Sequence, residues 1–254
     1  MTDTYIDVDD LDWVTVRIHE QPPYDDRDYL YHLDLFRPLA DWDVWRYWER
    51  ERITSMQHHI QQGDVVYDIG AEQGWMSALI SKYMSDQIVL FEPTAEFWPG
   101  IKAIYDRNGL TPPLRSFCGF AGDTTTGSRI AELAWPSESK DSQVIEKRKY
   151  QNLHDTTSPI PSLKIDDCTV IPDHITIDVE GAELLVLAGA EKTLREHRPL
   201  VWCSVHPDMM ERDYGHTKED LLFFMDDCGY DAELLSVDHE HHYFFTPKET
   251  DHAV

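Results

Sequence analysis

The chain has 254 residues, of which 41% are hydrophobic, enough to fill the core of one large domain or two small ones. Asp and Glu number 48 against 22 Lys and Arg, and the resulting net charge of −26 argues against a nucleic-acid partner. The acidic N-terminus lacks a signal-peptide core, no apolar run approaches the roughly 20 residues of a membrane helix, and the four cysteines have no C-x-x-C spacing, so we expect a cytoplasmic protein with reduced thiols and no membrane partner.

The first 62 residues are predicted to form an N-terminal extension. Residues 1–40 are polar, aromatic and irregular, with a "QPPYDD" break. Residues 41–62 predict a helix, because Asp41 or Asp43 can cap it and the following apolar residues recur near helical spacing. Residues 63–254 are assigned to a single domain.

Strands alternate with helices along the rest of the chain. Strands are predicted at 64–69, 87–92, 113–121, 174–178, 199–205, 231–237 and 241–246, and helices at 74–84, 94–107 and 218–227. This alternation is typical of a parallel sheet covered by helices on both faces. Residues 122–161 interrupt it, and we interpret them as an inserted lid or substrate loop, or as partly disordered.

The turn after the first predicted strand has a ligand-binding pattern. In "DIGAEQG" an acid, Asp68, precedes Gly70 and Gly74, and glycine lets a backbone approach a ligand closely. The nicotinamide pattern G-x-G-x-x-G is absent, and an acid before the glycines suits a ligand with a cationic amino group, such as S-adenosylmethionine. Glu92 ends the next strand, where it can bind both ribose hydroxyls or, alternatively, stabilise the following helix.

Three carboxylates occur where the fourth predicted strand passes into a helix, in "ITIDVEGAELLVLAGAEK". Ligands of doubly wound sheets bind beyond the carboxyl ends of the strands, so we interpret Asp178 as functional. Glu183 falls in the first helical turn, where an acid interacts favourably with the helix dipole, and we interpret it as mainly structural. Glu180 fits either role.

On these motifs the chain resembles the FkbM family of S-adenosylmethionine-dependent methyltransferases. "IDVEGAELLVLAGA" is similar to the signature of that family, "DIGAEQG" to its first motif and "FEP" to its second. The resemblance implies a class I, Rossmann-like α/β fold, a doubly wound sheet of seven strands with the last antiparallel. It also implies methyl transfer to a hydroxyl of a small molecule or glycan. The sequence departs from the family at Glu72, where Asn is usual, and at Thr176, where Lys is usual.

Methyl transfer to oxygen needs a group that accepts the hydroxyl proton. His206 follows the fifth predicted strand on the same edge as Asp178, so these two residues are the catalytic candidates. A divalent ion such as Mg²⁺ on Asp178 is the competing mechanism, but the sequence fixes no ligand set and no metal is predicted. The predicted cofactor-binding residues are Asp68, Gly70, Ala71, Glu72, Gly74, Glu92 and Asp178.

The segment "DHEHH", residues 238–242, lies between the two closing strands. We interpret this segment either as a solvated turn or as part of the acceptor pocket wall opposite His206. Alternate residues of a strand share a face, which would group Asp238 with Glu240 and His242. The acceptor-binding candidates are Glu180, His239, His241 and His242.

The sequence is compatible with three classes of function. A methyltransferase acting on small-molecule or sugar hydroxyls is preferred. A different nucleotide-cofactor enzyme, such as an NAD-dependent oxidoreductase, is disfavoured by the missing glycine. The third class is a catalytically silent binding module with the same fold.

Overall fold

A computed structural model of the protein describes residues 11–19, 31–37, 39–126 and 160–249. Eleven strands occur in these ranges. They are β1 Trp13–Ile18, β2 Tyr31–Phe36, β3 Val65–Ile69, β4 Gln87–Phe91, β5 Arg115–Phe117, β6 Phe120–Ala121, β7 Ser162–Leu163, β8 His174–Asp178, β9 Leu200–Val205, β10 Tyr230–Val237 and β11 His241–Pro247.

Seven of the strands form the central sheet, in the order β10-β11-β9-β8-β3-β4-β5. The five strands β3, β4, β5, β8 and β9 are parallel, and β11 runs antiparallel between β9 and β10. This arrangement confirms the predicted doubly wound sheet with an antiparallel last strand. The chain leaves β3 toward β4 on one side and returns to β8 on the other, so a crevice opens between their carboxyl ends.

Helices cover both faces of the sheet. They are α1 Arg50–His59, α2 Trp75–Tyr83, α3 Trp98–Arg107, α4 Glu183–Ala188, α5 Glu191–His197, α6 Pro207–Met209 and α7 Lys218–Asp227. Alternate residues of β3 enter two separate clusters of buried side chains, with Val66 on the side of α1, α2 and α3, and Tyr67 on the side of α4, α5 and α7. No helix in the described ranges is long and apolar enough to cross a bilayer.

The N-terminal segment differs from the irregular extension that we predicted. β1 and β2 pair as an antiparallel hairpin, and its inward residues, among them Ile18 and Leu33, are fully buried in the first cluster. The helix predicted over 41–62 is also shorter, since residues 39–46 form 3₁₀ turns and α1 covers only Arg50–His59. Glu49 interrupts the helix because its φ of 41° is left-handed.

The third predicted strand, 113–121, is divided into β5 and β6. β5 pairs with β4 in the central sheet, whereas β6 leaves that sheet and pairs with β7. Because β4 and β7 lie in different sheets, one continuous strand over 113–121 cannot pair with both of them. Most of the predicted inserted loop lies outside the described residues.

Candidate active site

A cavity of about 390 Å³ lies beyond the carboxyl ends of β3, β4 and β8. This is the edge at which doubly wound sheets bind ligands. Six of the seven predicted cofactor-binding residues line it, and Gly74 does not. The six are Asp68, Gly70, Ala71, Glu72, Glu92 and Asp178.

The turn after β3 is shaped by its two glycines. Gly70 has a φ of 85°, and a Cβ on it would collide with the main-chain carbonyl of Asp178. The N–H of Gly70 donates to the carbonyl oxygen of Phe91 at 2.9 Å, which ties the turn to the end of β4. A Cβ on Gly74 would lie 2.8 Å from Ile101 of α3. Gly70 therefore allows close packing on β8, and Gly74 allows close packing of helix against helix.

Glu92 connects the two loops at the base of the cavity. Its Oε2 accepts a hydrogen bond from the N–H of Glu72 at 2.8 Å, and its Oε1 accepts one from the N–H of Thr94 at 2.6 Å. The side chain is 4% exposed, and burial raises the pKa of Glu92 to about 7 despite these donors. Each carboxylate oxygen keeps a lone pair for a further donor, such as a ligand hydroxyl.

Asp68 lies at the end of β3 and lacks a full set of partners. Its Oδ2 is buried and accepts no hydrogen bond from the described residues. Burial raises the pKa of Asp68 to about 7, although the nearby Arg52 opposes that shift. An orphaned acceptor in the wall of a cavity fits a ligand that brings a cationic donor. The residues present at β3 and β4 therefore fit S-adenosylmethionine.

A buried arginine from α1 lies across the opposite wall. The guanidinium of Arg52 is 2.5 Å from Glu49 Oε2 and 3.7 Å from Asp178 Oδ2, and it donates to Ser204 Oγ at 2.7 Å. It also donates to Thr176 Oγ1. The N-terminal helix therefore supplies a positive charge to this wall.

His206 lies within 4 Å of four carboxylates. Its Nδ1 is 2.8 Å from Glu183 Oε1, and its Nε2 is 3.0 Å from Glu240 Oε2, 3.6 Å from Glu180 Oε2 and 3.8 Å from Asp178 Oδ1. Burial would lower the pKa of His206, but the surrounding carboxylates raise it to about 11. The imidazole is therefore protonated at neutral pH in the absence of another cation.

Asp178 is the group that links this cluster to the cavity. Its side chain is 33% exposed, and it lines the cavity together with Glu180. Burial and the charge of Glu240 raise the pKa of Asp178 well above the usual range, and Arg52 only partly opposes them. His206 and Glu240 are 6% and 4% exposed and lie behind Asp178, outside the cavity lining.

Glu183 has a more specific place than the structural role that we predicted. Its carboxylate accepts a hydrogen bond from the N–H of Gly181 at 2.9 Å and is fully buried against His206. It therefore fixes the orientation of the imidazole ring as well as the turn after β8.

The "DHEHH" turn buries Glu240 and His242 and leaves Asp238 exposed. Asp238, Glu240 and His242 converge, as alternation predicts, and His242 Nδ1 lies 3.0 Å from Ser204 Oγ. His239 is 79% exposed, and none of the three histidines lines the cavity. Glu240, which was not among the predicted site residues, is the member of the turn that reaches His206.

Two further residues of the site, Glu49 and Arg52, were also missed. A signal for Arg52 exists, because Arg52 lies beside Ile53 and four residues before Met56, on the buried face of α1. A charged residue on such a face needs a buried partner. Trp48 lines the cavity with Trp75, and the half-exposed Trp42 stacks on Trp75 with ring centroids 5.1 Å apart.

Comparisons with known proteins agree with this fold. The family model described as the methyltransferase FkbM domain matches residues 68–232. A methyltransferase FkbM structure from Methylobacillus flagellatus is 21% identical with a TM-score of 0.48, over 72% of this chain and 43% of that one. A ribosomal protein L11 methylase from Lactobacillus delbrueckii subsp. bulgaricus is 8% identical with a TM-score of 0.50, over 80% of each chain.

A third structure, of M. jannaschii TYW2 in complex with AdoMet, is 13% identical with a TM-score of 0.43, over 87% of this chain and 84% of that one. The match to the Methylobacillus protein covers less than half of that protein's length. No functionally curated protein matches the chain.

Proposed function

The chain belongs to the FkbM methyltransferase family, and from this premise we propose that it transfers a methyl group from S-adenosylmethionine to a hydroxyl of a small molecule or sugar. The observation that carries the proposal is the pair of strand-end acids, Asp68 and Glu92, in one cavity with the close-packed turn at Gly70. Asp68 offers an unpaired acceptor to an amino group, and Glu92 offers acceptors to ribose hydroxyls.

The acceptor side of the cavity supports a neutral, hydroxylated acceptor. Asp178 and Glu180 present carboxylate oxygens, which accept hydrogen bonds from hydroxyl groups, and Trp48 and Trp75 add flat apolar surface. These acids and the net charge of −26 would repel a phosphorylated acceptor. The lining therefore favours sugars and other polyhydroxylated molecules over nucleic acid.

Different residues of the cavity would have different roles in methyl transfer. When bound, S-adenosylmethionine supplies an activated methyl group on its sulfonium sulfur. Asp178 would hold the acceptor hydroxyl and receive its proton, because burial makes this carboxylate a stronger base than an exposed one. His206, protonated and held by Glu183, would position Asp178 and Glu180 rather than act as the first proton acceptor.

Calorimetric titration separates this proposal from its alternatives. We expect S-adenosylmethionine and S-adenosylhomocysteine to bind, and NAD not to bind. Binding of NAD alone would support an oxidoreductase. Binding of S-adenosylmethionine without turnover, in a screen of hydroxylated metabolites and glycans with a labelled methyl donor, would support a silent binding module.

An Asp178→Asn variant tests the catalytic assignment, with Asp231→Asn as the matched control on the exposed face of β10. Asp178→Asn should lower turnover by roughly 10²–10⁴-fold, the range for a lost general base, and leave the fold intact. Parallel losses of turnover and thermal stability would instead indicate a structural carboxylate.

A further inference from the structure

Three ligand-type atoms converge behind the cavity wall. One ligand-type atom from each of Asp178, His206 and Glu240 lies within 4.8 Å of the other two, and these residues come from the end of β8, from just after β9 and from the turn before β11. The imidazole nitrogen is 3.0 Å from the Glu240 oxygen and 3.8 Å from the Asp178 oxygen. Ligands about 2.0–2.2 Å from one metal ion have separations of this size.

Glu240 gives an independent indication that a partner is missing. The residue is 4% exposed, and its Oε2 makes no hydrogen bond of acceptable geometry in the described part of the chain. Nε2 of His206 lies only 3.0 Å away, so the two atoms approach each other without the alignment of a hydrogen bond. The charge of this buried oxygen is compensated by the His206 imidazolium without an aligned hydrogen bond, and a shared divalent ion would replace that proton and bind the oxygen directly.

The other nitrogen of His206 prepares Nε2 for a metal. Nδ1 lies 2.8 Å from the fully buried Glu183 carboxylate, which can only accept a proton donor there. This contact keeps the proton on Nδ1, so that when a metal ion displaces the proton on Nε2, the Nε2 lone pair is directed at Asp178 and Glu240. A carboxylate behind the ring is the usual arrangement around metal-binding histidines.

The local charge also leaves room for a cation. Four carboxylates lie within 4 Å of the His206 ring nitrogens, those of Asp178, Glu180, Glu183 and Glu240. Arg52 lies 3.7 Å from Asp178, and its charge is shared with Glu49. The cluster therefore carries a negative surplus even when His206 is charged.

A neighbouring trio, Asp238, Glu240 and His242, is less suitable. Asp238 Oδ1 already accepts the N–H of Glu240 at 3.0 Å, and its Oδ2 lies 3.4 Å from His242 Nε2. The Asp238 side chain is also 53% exposed, so water satisfies what remains. This trio supports the loop that holds Glu240.

We propose that Asp178, His206 and Glu240 bind one divalent metal ion, and that the ion activates the acceptor hydroxyl. The proposal rests on the proposed function and deepens it. One imidazole and two carboxylates suit a first-row ion such as Mn²⁺ or Zn²⁺ better than Ca²⁺. Asp178 is the one ligand of the three that also lines the cavity, so the ion would lie directly behind the wall that an acceptor hydroxyl contacts.

The ion would lower the pKa of that hydroxyl. The O–H bond breaks and its proton passes to Glu180, which is 56% exposed and lines the cavity. The oxygen then forms its new bond to the methyl carbon as the carbon–sulfur bond of the sulfonium breaks, leaving S-adenosylhomocysteine. Asp178 would act as a ligand in this form of the site, and Glu180 would accept the proton.

Manganese binding to the full chain tests the site without relying on activity. Protein treated with EDTA and desalted is titrated with Mn²⁺ in 150 mM KCl, and free Mn²⁺ is followed by its electron paramagnetic resonance signal. We expect one bound ion per chain. Glu240→Gln should weaken binding at least tenfold, whereas Glu233→Gln, on the exposed face of β10, should stay within twofold.

His206→Gln is a second variant in case Glu240→Gln does not fold, as judged by thermal unfolding. Absence of stoichiometric Mn²⁺ binding, or unchanged affinity in both site variants, would overturn the metal proposal. Calorimetry with S-adenosylmethionine on the same samples keeps the two proposals apart. Cofactor binding without metal binding would contradict only the metal site. Metal binding without cofactor binding would contradict the proposed function.

Discussion

The two walls of the cavity are held together by different forces. The wall at β3 and β4 comes from two short segments, 68–74 and 91–94, joined by backbone hydrogen bonds, and Gly70 packs closely on Asp178 of β8. The wall at β8 and β9 gathers charged side chains from four segments, 49–52, 176–183, 204–206 and 238–242. Backbone shape fixes the first wall, and charge compensation fixes the second. Substitutions of shape and of charge should therefore affect them unequally.

The largest effect is expected from Arg52→Met. The substitution keeps the apolar stem but leaves the buried carboxylate of Glu49 and that of Asp178 without their cation. Breaking a buried ion pair from one side costs about 3–5 kcal/mol, so the free energy of unfolding in urea at pH 7 should fall by about that amount. Arg17→Met, on the exposed face of β1, is the control. A loss below about 1 kcal/mol, as for a surface pair, would mean that charge does not hold this wall.

The same contrast explains what the sequence could predict. Asp68, Gly70 and Glu92 were predicted to lie at one edge of the sheet and do line one cavity, because a tight turn and two strand ends fix their positions within a few residues. Arg52 and Glu240 were missed because each acts on a partner far along the chain, Ser204 and His206, and only the packing of α1 and β11 against β9 brings them together. Short sequence motifs are enough to predict local turn geometry, whereas the pairing of buried charges depends on how the whole sheet is assembled.

The N-terminal hairpin shows the same limit. The alternation in "WVTVRI" was present in the sequence, but short apolar stretches are ambiguous until a partner strand is known. In β8, by contrast, the predicted range 174–178 and the observed strand coincide, because the β-branched residues Ile175, Thr176 and Ile177 favour a strand and are buried on both of its faces.

Gly70→Ala tests the wall that depends on backbone shape. The methyl group would meet the carbonyl of Asp178 at a residue whose φ is 85°. Strain and overpacking together should lower the free energy of unfolding by about 2–4 kcal/mol. Gly109→Ala is the matched control, because its φ of 65° carries the same strain but no atom lies within 4 Å of the added carbon. It should cost about 1 kcal/mol. Equal losses in urea titrations would show that close packing on β8 is unimportant.

A smaller effect is expected from the titration of Glu92. Below its pKa of about 7 the carboxyl group is protonated and cannot accept every hydrogen bond that the cavity offers. Cofactor affinity should therefore rise with pH, and a single such group gives about a tenfold change between pH 6 and 8. In the free protein the sign is opposite, since a raised pKa stabilises the protonated folded state and that stability is lost as pH rises from about 4.5 to 7.

Calorimetric titration with S-adenosylmethionine at several pH values measures the slope. Glu92→Gln should remove about one tenfold change in affinity between pH 6 and 8. The pH dependence of affinity that remains is that of Asp68, whose pKa is also about 7. Glu96→Gln, exposed in the following turn, should keep the full slope. A slope identical in Glu92→Gln and in the unaltered protein would remove Glu92 from the cofactor site.

The smallest effect is expected from His239→Ala, which separates the outward from the inward residues of one turn. His239 is 79% exposed, so its removal should change the free energy of unfolding by less than about 0.5 kcal/mol and Mn²⁺ affinity by less than twofold. His242→Ala, three positions away, removes a buried ring that lies 3.0 Å from Ser204 Oγ, and should cost about 1–3 kcal/mol. Ser204 also accepts a hydrogen bond from Arg52, so the buried ring belongs to the charge-compensated wall. If His239→Ala instead weakens Mn²⁺ binding more than Glu240→Gln does, the ion binds at the solvent-facing side of the turn and the inward cluster is not its site.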